Sequence, residues 1–140
     1  MKQLFILFLL FVSIVGYSQE QTVQAPADSV VKTWDLEHDA WKAWNKIDSV
    51  WMDSIYWTTL KKHKIKMSCA HCERVMLSVD MRIDSSGHMA EYRVEKSYLC
   101  GSEFSNQLEK DFMLYFEALI FPQPLRNRVI RALLGTGLKC

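Results

Sequence analysis

Residues 73–84, ERVMLSVDMRID, and the stretch after them, SSGHMAEYRVEK (85–96), decide how this chain folds. Val75, Leu77, Val79, Met81 and Ile83 fall on one side of an extended chain and Arg74, Ser78, Asp80, Arg82 and Asp84 on the other; only Met76 breaks the alternation. Successive side chains of a strand point to opposite faces, so a period of two with β-branched residues among the apolar positions spells a half-buried strand. Asp84, Ser85, Ser86, Gly87 and His88 supply a turn, with Gly87 free to take a positive φ. Ala90, Tyr92 and Val94 then alternate against Glu91, Arg93 and Glu95, which completes a β-hairpin.

Just ahead of the hairpin stands KMSCAHC (66–72), which carries two of the four cysteines, Cys69, Cys72, Cys100 and Cys140. An even count in an exported chain favours disulfides, although four cysteines permit several pairings and their spacing does not choose among them. Two other chemistries fit the same residues. Met67, Cys69 and Cys72, with His71 between, offer soft donors for Cu(I) or Zn, and this Met-x-Cys-x-x-Cys loop resembles that of heavy-metal-associated domains, where a helix follows. Cys69 and Cys72 also fit a thioredoxin-like redox pair, whose thiolate is stabilised when the pair opens a helix. The residues after Cys72 alternate at the period of a strand, which opposes both. The expected role is therefore a pair at the entry to a sheet edge that forms structural disulfides without a cofactor, with His71 an exposed loop residue. His63, in the basic stretch LKKHKIK (60–66), is expected to be solvated, and His38 and His88 to lie on the surface.

Upstream, Trp34, Ala40, Trp41, Trp44, Ile47, Trp51 and Ile55 recur at steps of three and four residues, while Glu37, Lys42, Asn45, Lys46, Ser49 and Asp53 largely avoid that face. This is an amphipathic helix over 33–60, with Thr33 placed to cap it. Large aromatics dominate ordinary core burial, so the stripe is expected to pack on the sheet. Any of Trp34, Trp41, Trp44 and Trp51 left exposed would mark a partner surface. Downstream, Leu108, Phe112, Tyr115, Phe116 and Leu119 share a helical face behind a capping Ser105, Pro122 and Pro124 stop that helix, and residues 129–134 read as a last strand.

The first residues, MKQLFILFLLFVSIVGYSQ, combine one lysine, a short apolar run and small residues at Gly16 and Ser18. That is the layout of a secretory signal peptide, and the run is shorter than the roughly 20 residues a membrane-spanning helix needs. Cleavage after Ser18 would remove one of 17 basic residues and none of 16 acidic ones. A net charge near zero argues against nucleic acid or an anionic membrane as the main partner. Neither a Ser-His-acid arrangement nor a glycine-rich phosphate loop is present in the sequence, so no enzymatic activity is expected.

The hairpin VDMRIDSSGHMAEYRVEKS and the segment LEKDFMLYFEALIFPQPLRNRVI together resemble the C-terminal domain of TonB-like energy transducers over residues 74–140. The resemblance implies a periplasmic ββαβ module that binds a short segment of an outer-membrane transporter by strand addition. In that family a transmembrane helix and a Pro-rich spacer precede the domain, whereas here a cleavable segment and a Trp-rich helix do. The expectation is an α+β protein with a cleaved signal at 1–18, a flexible lead-in at 19–32, the amphipathic helix at 33–60 and a small antiparallel TonB-like domain at 61–140. Its partner would be an envelope protein or peptide, and no stable membrane span would remain.

Overall fold

The hairpin forms as its alternation requires. In the computed structural model, which describes residues 29–140, β2 (Arg74–Ile83) pairs antiparallel with β3 (Met89–Leu99). The signal peptide and most of the lead-in expected ahead of them lie outside the described residues. Val75, Leu77, Val79, Met81 and Ile83 are all fully buried. The register shifts twice, between Ser78 and Val79 and between Arg82 and Ile83. Each shift leaves one residue of β3 unpaired, Glu95 in the first case and Ala90 in the second, so Ala90 is exposed where strict alternation would turn it inward.

The turn is built around Asp84, whose carboxylate accepts from the backbone N–H groups of Ser86 and His88, both at 2.9 Å. Gly87 takes φ +92°, and a Cβ there would lie 2.5 Å from the carbonyl oxygen of Phe121. That carbonyl belongs to the segment leaving α3 (Asn106–Ala118), whose Phe121 N–H donates to Gly87 O at 2.7 Å. Ser105 caps α3 as expected, accepting from Leu108 N–H at 3.2 Å. The chain then turns through Gln123–Leu125 into β4 (Arg128–Gly137), which pairs antiparallel with β2 on the side away from β3.

A short strand, β1 (Val30–Lys32), completes the sheet in the order β1-β4-β2-β3. It runs parallel to β4, pairing Val30 with Val129, Val31 with Ile130 and Lys32 with Arg131. The sheet is therefore mixed and not antiparallel throughout, and the last three residues assigned to a flexible lead-in are a strand. Two β-branched valines beside an edge that lacks a partner account for both corrections.

Thr33 opens a 3-10 turn, Thr33–Asp35, rather than capping the long helix, which begins at His38 without a side-chain cap. That helix comprises α1 (His38–Trp51), a wider π segment (Met52–Tyr56) and α2 (Trp57–Lys62). The wide turn resets the buried face by a residue, so that Tyr56 rather than Ile55 follows Trp51 into the core. The helix meets α3 as well as the sheet. Trp44 stacks on Phe116, Trp51 lies between Phe112 and Phe116 with ring centroids 5.3 and 5.8 Å away, and its indole N–H donates to Phe112 O at 3.1 Å. Tyr56 reaches the sheet itself, donating to Val75 O at 2.9 Å, and Gly135 (φ +105°) clears the space for its ring.

Candidate functional site

The cysteines of CAHC do not bond to one another. Cys69 joins Cys140 and Cys72 joins Cys100. Ser68 and Cys72 exchange backbone hydrogen bonds at 2.9 and 2.8 Å, a tight loop that sends the two sulfurs to different partners. One bridge ties the entry of β2 to the end of β3, the other to the residue three places beyond β4. Backbone bonds reinforce each join, Cys100 N–H to Arg74 O at 3.1 Å and Leu138 N–H to Glu73 O at 2.7 Å.

In the disulfide-bonded protein these pairings weigh against both alternatives for the motif. Metal binding through Met67, Cys69, His71 and Cys72 needs thiolates, and both sulfurs are already bonded to the sulfurs of Cys140 and Cys100. Met67 Sδ sits 3.4 Å from the Tyr56 hydroxyl and packs against the core, while His71 is exposed. Among the described residues no group of three or more His, Cys, Asp or Glu is placed to hold a metal ion. The redox reading wants a helix after Cys72, and a strand begins there instead.

The tryptophans divide. Trp44 and Trp51 are core residues, 4% and 0% exposed, whereas Trp34 and Trp41 are 58% and 45% exposed. Trp34 belongs to the 3-10 turn and carries Lys32 Nζ over its ring at 5.6 Å. Trp57, at 48%, joins the exposed set although the helical face drawn from sequence did not include it. The π segment shifts the phase of the helix just before it, and no local sequence signal announces that shift.

The two edges of the sheet are unlike. β3 is long, but its two bulges interrupt the even spacing that a joining strand would need. β4 is ten residues long and meets β1 only at 129–131, so among the described residues 132–137 have no strand partner on that side. Leu133 is exposed there. Next to it, on the open face of the sheet, Asp80 accepts a two-pronged contact from Arg131 at 2.6 and 2.7 Å and a longer one from Arg93 at 3.3 Å. Hydrogen bonding from Arg131 holds the Asp80 carboxyl below its usual range. Glu95 closes the network onto Arg93 and Arg131, which leaves two acids facing two arginines across three strands. Such a balanced cluster fixes β4 against β2 and pairs each of its charges with an opposite one.

A second charged cluster corrects the expectation for His63. Its Nε2 lies 2.7 Å from Asp111 Oδ2, the Lys62 ammonium donates to the same oxygen at 2.7 Å, and Gln107 donates to the other at 3.0 Å. Lys62 and then His63 hold the buried Asp111 carboxyl down at about 2. The basic stretch thus folds one lysine and its histidine onto α3, and leaves Lys61, Lys64 and Lys66 outside. Comparison with protein families, characterised proteins and solved structures gives no significant match.

Proposed function

We propose that this protein is an exported binding module of the TonB C-terminal type, without enzymatic activity, that captures a protein or peptide of the cell envelope by strand addition at the outer edge of β4. The observation that carries this reading is the stretch 132–137, whose outer side has no strand partner among the described residues: β1 pairs with β4 only at 129–131, and beyond it β4 is met by the 3-10 turn Thr33–Asp35 without strand pairing. Main-chain pairing along such an edge supplies affinity, and pockets for alternate side chains supply choice. The chain order from β2 through β3 and α3 to β4 is consistent with the ββαβ module, and an outer-membrane transporter segment is the partner that the resemblance implies.

The two disulfides suit an oxidising compartment, in keeping with the signal-like start of the sequence. Among the described residues no helix is long and apolar enough to cross a membrane. The residues ahead of the hairpin, which form a spacer in the TonB family, here fold back onto α3. This favours a module that holds its partner over one that relays motion from an inner-membrane motor.

The test is amide hydrogen exchange on the complex captured from an envelope extract by the disulfide-bonded protein. Strand addition at β4 slows exchange within 132–137 and leaves α3 and the outer side of β3 as they were. Protection confined to β3, or to the helices, would refute the assignment.

A further inference from the structure

The long helix ends at Lys62, and the chain leaves it through Lys64, which takes φ +56°, before running out to Met67. This corner encloses a cleft of about 350 Å³ with Trp57, Ile65 and Met67 in its lining and Lys61, Lys64 and Lys66 around it. Tyr56 packs edge-on against Trp57 at 4.8 Å between ring centroids, and the indole stays half exposed. Folding explains some of these lysines. Cations in the last turn complement the helix dipole, which accounts for Lys61 and Lys62, and Lys62 is already bound to Asp111. Lys64 and Lys66 lie beyond the helix, and the left-handed position of Lys64 is one where glycine or asparagine is the low-cost choice. Lys61, Lys64 and Lys66 form no ion pair with any described residue.

We propose that this cleft is a docking site for an acidic peptide segment carrying one large apolar side chain. Like charges set around one cleft repel each other, and an anionic occupant relieves that repulsion. The apolar lining calls for a side chain that can enter it, and about 350 Å³ is within the size range of small-ligand clefts. A lipid surface supplies negative charge but is flat on this scale, whereas Leu60, Ile65 and Met67 line a concave cleft beside the half-exposed Trp57. An acidic peptide with a single anchor offers both features, with Trp57 as the aromatic contact. The site rests on residues 57–67, none of which belongs to β4, so its failure would leave strand addition untouched.

Fluorotryptophan incorporation gives each of the five tryptophans its own fluorine NMR signal, and Trp57→Phe identifies that of Trp57. The probe is a blocked peptide with one phenylalanine flanked by glutamates, added to the full disulfide-bonded chain. The Trp57 signal should shift saturably while those of Trp44 and Trp51 stay in place. Binding should weaken by about tenfold or more in K61E/K64E/K66E, and by a similar factor when the peptide's phenylalanine becomes serine or its glutamates become glutamines. Unchanged thermal unfolding of the triple variant separates lost binding from lost fold. Absence of a saturable shift, or a shift that survives the charge reversal, overturns the proposal. Tighter lysine-dependent binding to vesicles of phosphatidylglycerol would assign the cleft to lipid instead, and a Trp57 signal that moves with protein concentration alone would assign it to a second copy of the chain; either result overturns it too.

Discussion

One buried carboxylate, Asp111, joins the end of the long helix to α3 through Lys62 and His63. Its pKa is lowered from 3.8 to about 2, with Lys62 the larger cause and His63 the next. A carboxyl depressed on folding contributes stability above its unfolded pKa and loses it as pH falls through the folded value. Asp111 should therefore contribute about 2 kcal/mol at neutral pH that disappears between roughly pH 4 and pH 2. Urea denaturation across that range should show the fall in the native protein and a flatter acid limb in Asp111→Asn, which starts lower at neutral pH. An equal slope in both would remove Asp111 from the acid response. Nothing in the sequence announces this contact, because His63 and Asp111 stand 48 residues apart and neither sits in a patterned motif. Ser105 was legible for the opposite reason: a cap bonds within its own first turn, so the signal lies beside the residue.

At the scale of elements, Gly87 joins the hairpin turn to the segment that leads into β4. Alanine there meets both an unfavourable φ and the backbone oxygen of Phe121, which cannot swing aside as a flexible side chain would. Gly87→Ala should cost about 2–3 kcal/mol, read as a lower urea midpoint with an unchanged slope. A neutral outcome would mean that the Phe121 segment yields freely. β2 and α3 could be read from the sequence because each keeps nearly one period over its length, and β4 because an apolar, β-permissive run follows the prolines. The bulges at Ala90 and Glu95 and the π segment could not, since each inserts a residue to satisfy a fit that exists only in three dimensions. The same holds for β1, whose three residues are a strand only because β4 lies beside them. For the candidate site, the apolar tendency of β4 was legible, but the open edge was not, because an edge is defined by which strands are missing next to it.

In the whole molecule, the cysteines were legible as a set and their partners were not: composition and compartment point to disulfides, while the pairing depends on where the ends of β3 and β4 arrive. Both bridges close at the same end of β2, over sequence separations of 71 and 28 residues. If strand addition is how the protein works, a partner tugging on β4 pulls against a strand whose far end is covalently fastened beside its neighbour. Peeling β4 away from β2 is then blocked at Cys140, and tension passes through sulfur to Cys69 instead of through the ladder of hydrogen bonds. Optical-trap handles fixed ahead of Val30 and after Cys140 would find a chain that lengthens only as far as Cys69 while oxidised. Reduction of both bridges should add roughly 24 nm of extension, the length of the 71 shielded residues at about 3.4 Å each. If the same length appeared before reductant was added, the bridge would not be carrying the tension. With both bridges intact, the sheet behaves under traction as a closed buckle rather than a zip.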